Sequence, residues 1–225
     1  MNPLQTELNR LYLAPEGQVR ALVLALARPA DWSLLAPLWR GVQTDLALPA
    51  PAIAVSGVDS YQLWFSLAEP VPALEGALFL EALRQHYLGT VTASRISLAP
   101  SPAALGAQPT LPVPGQQQGA SGHWSAFVAP DLAPIFADEP WLDQPPSPEA
   151  QASVLARLQS IKPAALAAAL ARLRPAAPSD RPPEPVAAGP QLTPKAFLLA
   201  VMQDPTVALD LRMEAAKALL PYVEG

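Results

Sequence analysis

Apolar positions along the chain fall into short runs and helical stripes that alternate in a regular order. Residues 18–26 (QVRALVLAL) form a short apolar run closed by Arg28-Pro29, which predicts a buried strand with Leu22, Leu24 and Leu26 on one face. Asp31 is placed to cap a following helix, in which Leu34, Leu35, Leu38, Trp39 and Val42 recur at helical spacing until Leu48-Pro49. Pro37 predicts that the regular helix begins near itself, because proline has no N–H to give to the preceding turn. Residues 51–56 (PAIAVS) make a second strand, and Gly57 to Ser60 make a turn. Residues 61–67 (YQLWFSL) alternate, with Tyr61, Leu63, Phe65 and Leu67 opposite Gln62, Trp64 and Ser66, as a half-buried strand requires. Ala73 to Leu88 carries Leu74, Leu78, Leu83 and Tyr87 near a helical period, and Ala93 to Leu98 supplies a last strand.

The order strand, helix, strand, strand, helix, strand predicts an α+β fold of the split βαβ, RRM/ferredoxin-like kind, with two helices on one face of a four-stranded antiparallel sheet. The other face is left open. Ser101 to Gly122 reads as a surface loop, and Trp124 to Phe136 (WSAFVAPDLAPIF) as an extended segment laid over the sheet. Ser147-Pro148-Glu149 starts a helix with a Val154, Leu155, Leu158 and Ile161 stripe, and Pro163 separates it from a second over Ala164 to Leu173. Arg174 to Leu192 holds six prolines and no aromatic residue, as a polyproline or flexible tether would. Thr193-Pro194 and Asp204-Pro205 start a C-terminal helical extension, one helix near Lys195 to Met202 and one near Val207 to Leu220. The expected organisation is an α/β domain with its loop and helices over 1–173, a linker over 174–192 and a helical pair over 193–225.

Composition narrows the picture. With 51% apolar and 15% charged residues the chain can bury a core, while 29 prolines demand long irregular connections. A net charge of −5 without a basic stripe argues against a global attraction to nucleic acid and leaves room for a local patch. The absence of cysteine removes disulfides, thiolate metal sites and cysteine nucleophiles. MNPLQTELNRLYL lacks the basic start and apolar stretch of a signal peptide, and no proline-free apolar window is long enough to span a bilayer. The expected location is cytoplasmic.

Candidate chemistry is sparse. No phosphate-binding glycine loop, nucleophile elbow or His-Glu-x-x-His motif is present. His86 sits on a helix beside Gln85 and Tyr87, and His123 follows a loop in Gly-His-Trp, where a histidine can act as a general base. Asp138, Glu139 and Asp143 around Trp141 offer oxygens to a hard cation or form a solvated acidic loop. Trp64 falls on the open face of the sheet, where a ring can stack bases with Arg20 and Arg95 nearby; alternatively Trp124 and Phe127 pack over it.

Residues 52–71, AIAVSGVDSYQLWFSLAEPV, resemble the central segment of archaeo-eukaryotic primase-type domains, including plasmid and phage replication proteins, in the Ser56-Gly57 turn, the Trp64-Phe65 pair and the Glu69-Pro70-Val71 exit. The resemblance implies that Gln62 stands where the family carries a catalytic histidine. It also implies metal-binding carboxylates at the end of the first strand and on a later strand, and neither Leu24 to Ala27 nor Ser94 to Ala99 supplies one. A glutamine amide does not titrate in the range a proton-transfer group needs. Over about residues 18–100 the chain therefore looks like a degenerate member that has lost nucleotidyl transfer.

Residues 197–222, FLLAVMQDPTVALDLRMEAAKALLPY, are similar to a helical segment of phage terminase small subunits and related prophage proteins, in Met202-x-Asp204-Pro205, Leu211-Arg212, Ala215 to Ala218 and Pro221-Tyr222. The same helices can dock a protein partner through Leu209, Met213, Ala216 and Leu220, or contact DNA through Lys195, Arg212 and Lys217. The expectation is a non-catalytic binding or assembly protein of prophage or mobile-element type, with no cofactor, no metal, no membrane, a protein partner on the tail and DNA or RNA as a further candidate. The alternatives are a single-strand-binding module using Arg20, Trp64 and Arg95 on the open sheet, and an enzyme of unrecognised type using His123 and the acidic loop.

Overall fold

The first helix, α1 (Pro3–Tyr12), is set by its own sequence: the Asn2 side chain accepts from the Leu4 N–H at 3.0 Å, and Pro3 occupies the first turn, where no intrahelical N–H is needed. Leu4, Leu8 and Leu11 share one side of it. The computed structural model describes residues 2–102, 112–173, 194–203 and 209–219. The chain divides into two units, Met1–Pro175 and Ala176–Gly225.

The first unit is α+β, built on a five-stranded antiparallel sheet in the order β4 (Ile96–Ala99), β1 (Gln18–Ala27), β3 (Ser60–Pro72), β2 (Ala52–Val55), β7 (Ala126–Val128). Strand β1 (Gln18–Ala27) is followed by α2 (Trp32–Thr44), capped as expected by Asp31, whose carboxylate accepts from the Ser33 N–H at 2.9 Å. Pro37 lies inside α2 and does not delay its start, because the Asp31 cap fixes the first turn upstream of it. Strands β2 (Ala52–Val55) and β3 (Ser60–Pro72) form a hairpin. At its tip the Ser56 hydroxyl oxygen accepts from the N–H groups of Val58, Asp59 and Ser60, and Gly57 takes φ +80°, where a side chain would be strained. Helix α3 (Ala73–Leu88) follows, then a 3-10 turn over Ala93–Arg95 and β4 (Ile96–Ala99), shorter than the expected strand.

Helix α3 is rotated relative to the expected stripe. Leu74 and Leu78 are 51% and 53% exposed, while Gly76, Ala77, Phe79, Leu80 and Leu83 face the sheet. The close approach at Gly76 sets this rotation: a Cβ there would lie 2.5 Å from Leu22 Cδ2 and 3.2 Å from Val19 Cγ2. Gly76→Ala is expected to lower the unfolding free energy by about 1–2 kcal/mol, over-packing exceeding the gain of roughly 1 kcal/mol in helix propensity. A denaturant titration checks this, and an unchanged or higher midpoint contradicts it.

Part of the segment expected as a surface loop, residues 103–111, lies outside the described residues; after it β5 (Gln117–Gln118) pairs with β6 (His123–Trp124), and β7 (Ala126–Val128) pairs with β2. The segment from Trp124 to Phe136 is thus an added edge strand and a 3-10 turn (Ala133–Phe136), and it does not lie across the sheet. Helix α4 (Pro148–Ala156) starts at Ser147, whose hydroxyl accepts from the Ala150 N–H, and α5 (Pro163–Leu173) follows. Between them Ile161 bridges to β3, donating to Ser66 O and accepting from the Ala68 N–H, each at 2.8 Å.

Strand alternation then sorts two cores. Leu22, Leu24, Leu26, Ile53, Val55, Tyr61, Leu63, Phe65 and Leu67 lie under α2, α3 and α5. Val23, Ala52, Ala54, Trp64, Ala99 and Phe127 lie on the opposite face with Leu11 of α1 and Leu155 of α4. The sheet is therefore buried on both faces over Ser60–Leu67, where a half-buried strand with an open side was expected. Among the described residues no helix is long and apolar enough to cross a membrane.

The second unit holds α6 (Pro194–Gln203) and α7 (Leu209–Leu219). Arg212 donates from Nε to Met202 O at 3.0 Å, and Ala215 and Leu219 are buried. Of the docking residues named above, Met213 is exposed and Ala216 partly so; the side chain of Leu209 and the whole of Leu220 lie outside the described residues.

Candidate functional site

Gln62 and Trp64 stand two apart on β3 and so point to the same side of the sheet, the side the sequence left open. Register places Gln62 between Ala25 and Ala54, and Trp64 between Val23 and Ala52. Flanked there by alanines and a valine, the indole donates its N–H to Gln62 Oε1 at 2.8 Å. Gln62 is 5% and Trp64 3% exposed.

What encloses them is α1 and the edge strand. The Tyr12 ring meets Trp64 edge-on at 5.4 Å and stacks on Phe127 at 6.2 Å, and Phe127 meets Trp64 edge-on at 5.9 Å. Burial holds the Tyr12 phenol in its neutral form well above its usual range, against the opposing charge of Arg10, and its hydroxyl is enclosed without a hydrogen-bond partner. Ser66, next along the same face, donates to Leu11 O at 2.7 Å and shares a hydrogen bond with the Ser160 hydroxyl. Arg10 reaches from α1 to the C-terminal end of α4, donating to Leu155 O at 3.0 Å and Leu158 O at 3.1 Å, where a cation meets the negative end of the helix dipole. Gln151 of α4 closes the edge strand: its Oε1 accepts from the Phe127 N–H at 2.7 Å and its Nε2 donates to Phe127 O at 2.9 Å. A side-chain amide thus takes the place of a neighbouring strand.

The residues expected to bind nucleic acid do not share a surface. Trp64 is enclosed, so its ring offers no stacking platform. Arg20 donates to Leu67 O and Ala68 O, and Arg95 to Ala27 O and Pro29 O. These contacts hold the two guanidinium groups at opposite ends of β1, where the backbone from Arg20 to Ala27 spans about 23 Å at the usual rise per strand residue. The alternative reading of Trp64, coverage by aromatic residues, holds for Phe127; Trp124 instead exchanges backbone hydrogen bonds with Leu142.

The second candidate cluster is assembled only in part. The His123 ring stacks on Trp141, centroids 4.6 Å apart and planes 5° apart, with Nε2 3.9 Å from Asp143 Oδ1. Asp138 lines a shallow pocket of about 200 Å³ with Arg28, Asp59 and Trp141, and its charge, with that of Asp31, adds to the burial that raises the Tyr61 phenol. Among the described residues no group of three His, Asp or Glu side chains is placed to hold a metal ion. His86 is exposed on α3 and meets Tyr87 ring to edge.

No family model matches the chain. A comparison with curated proteins finds no match. Among solved structures the chain is similar to the polymerase domain of Mycobacterium tuberculosis ligase D, solved in complex with DNA, at 20% identity and a TM-score of 0.39; the match covers 65% of this chain and 57% of that one.

Proposed function

We propose that this chain is a non-catalytic binding or assembly protein of prophage or mobile-element type, in which an RRM-like, primase-related domain serves as a scaffold and the C-terminal helices engage a protein partner. The carrying observation is the filled sheet face: at the position matched to the family's catalytic histidine, Gln62 is hydrogen-bonded to Trp64 beneath Tyr12 and Phe127. The strand order β4-β1-β3-β2 with α2 and α3 on one side supports the RRM-like reading. Neither the end of β1 nor β4 bears a carboxylate, so the pair of metal-holding positions that the resemblance implies is empty of ligands in the sequence itself. A two-metal phosphoryl transfer needs those oxygens within reach of both substrate and nucleophile, and apolar packing leaves no room for either. The exposed Met213 on α7 supports a docking role for the tail.

The test is an extension assay with the full chain, a primed template, labelled nucleoside triphosphates and Mg²⁺ or Mn²⁺. No incorporation above buffer is expected. In parallel, Mn²⁺ titration is expected to leave the Gln62 side-chain amide resonances unbroadened. Incorporation of label, or selective broadening at Gln62, overturns the proposal.

A further inference from the structure

A groove of about 450 Å³ runs along the border of the sheet where β2 begins and β7 ends. Its floor is the paired strand ends Ile53 and Val128 with Pro130; one wall is Trp39 of α2, from one face of the sheet, and the other is Val154 of α4 and the C-capping Arg157, from the opposite face. The volume is that of a small-molecule site. The polar side chains on its rim each have a donor engaged elsewhere. The Trp39 indole N–H donates to Pro51 O at 3.1 Å, the Gln43 amide to Trp39 O at 2.7 Å, and the Ser153 hydroxyl to Glu149 O at 2.9 Å. Arg157 differs. It is the one charged residue among the described residues lining the groove, and its guanidinium makes no hydrogen bond or ion pair among them.

We infer that this groove is a binding site for a small amphipathic carboxylate, its hydrocarbon body lying between Trp39 and Val154 and its carboxylate on the Arg157 guanidinium. The apolar walls remove the hydrocarbon from water, and an unengaged guanidinium presents paired donors whose geometry matches the two carboxylate oxygens. A single cation suits one carboxylate better than a phosphate ester with several charged oxygens, which calls for more donors than this rim has free. The site stands independently of the functional reading above, since it draws on neither Gln62 nor the tail.

The probe pair is octanoate and octan-1-ol, equal in chain length and differing in charge, titrated calorimetrically into the full chain below micellar concentrations. Saturable one-to-one binding of octanoate is expected, with the alcohol weaker by about tenfold or more, the worth of a charge-assisted hydrogen bond. Arg157→Gln, at an exposed and unpaired position, is expected to bring octanoate down to the affinity of the alcohol. Ser153→Trp, on the exposed side of α4 at the groove, is expected to abolish both while the circular dichroism stays unchanged. The inference is overturned by the absence of saturable octanoate binding, by equal affinities for the two probes in the unaltered chain, or by an Arg157→Gln variant that binds octanoate as tightly as before.

Discussion

Trp64→Ala is expected to reduce the free energy of unfolding by about 3–5 kcal/mol, the range for deleting a buried large aromatic side chain. The indole is enclosed by Tyr12, Phe127, Val23 and Ala52, and the two rings are held by separate elements, α1 and β7, that cannot both collapse into the space left behind. The loss extends beyond packing, because Gln62 Oε1 would be left buried without its donor. Against a typical total of about 5–15 kcal/mol, such a variant sits near the limit of folding at 37 °C. Chemical denaturation followed by circular dichroism measures the change. A ring displayed for base stacking would behave otherwise: its removal would shift stability by no more than about 0.5 kcal/mol, as at ordinary surface positions, and would weaken single-strand binding in a salt-dependent way. That second outcome would refute the enclosed geometry.

The second large effect is at Gln151, where carboxamide chemistry can be tested against carboxylate chemistry in one position. Gln151→Glu is expected to cost about 3 kcal/mol at pH 7, since an ionised carboxylate accepts from the Phe127 N–H but opposes Phe127 O and is buried. Protonated, the same side chain offers one donor and one acceptor and reproduces the native pair. Its folded-state pKa must then lie above the unfolded value of about 4.3. The stability it restores is fully present below that value and is lost as pH rises through the folded-state pKa. Other carboxylates run the opposite way: the Arg84 hydrogen bond holds Glu81 low, and its own backbone N–H with the Ser147 hydroxyl holds Glu149 low, so both lose their contribution as acid is added. The readout is therefore the difference between variant and parent at each pH, which should narrow on acidification. Gln151→Leu, with no titrating group, should show a difference that stays constant; a constant difference for Gln151→Glu would mean that Gln151 does not bond both groups of Phe127.

Much of the architecture was legible in the chain. The strands beginning near Gln18, Ala52 and Tyr61, the Asp31 cap, and the bounds of α3 follow from alternation, capping chemistry and proline placement, although the third strand runs from Ser60 through Pro72, past its expected end at Leu67. The sidedness of the sheet was not legible. Alternation at Tyr61 to Leu67 separates two sets of side chains but says nothing of what covers the smaller set, and Gln62 and Ser66 carry polar atoms that are satisfied inside the protein by Trp64 and Leu11. The cover comes from α1, whose polar residues mask a Leu4, Leu8 and Leu11 stripe, and from β7, only three residues long and too short to register as a pattern. The rotation of α3 was hidden for a related reason. A glycine marks close approach only when its neighbour is known, and Leu22 lies far upstream in the sequence. At the candidate site, the Gln62 position was found through a resemblance, while Tyr12 and Gln151 carried no local signal. Trp39 and Arg157, on the separate groove, gave none either.

The Arg10 clamp has a consequence for biosynthesis. Its carbonyl partner at Leu155 lies 145 positions further along the chain. At a ribosomal pace of about 5–20 residues per second, the arginine waits on the order of ten seconds for the helix it holds to be made. Between the emergence of β3 and that of α4, α1 has no helix to clamp it over the aromatic side of the newborn sheet, so the nascent polypeptide is then most exposed to holding chaperones and to self-association.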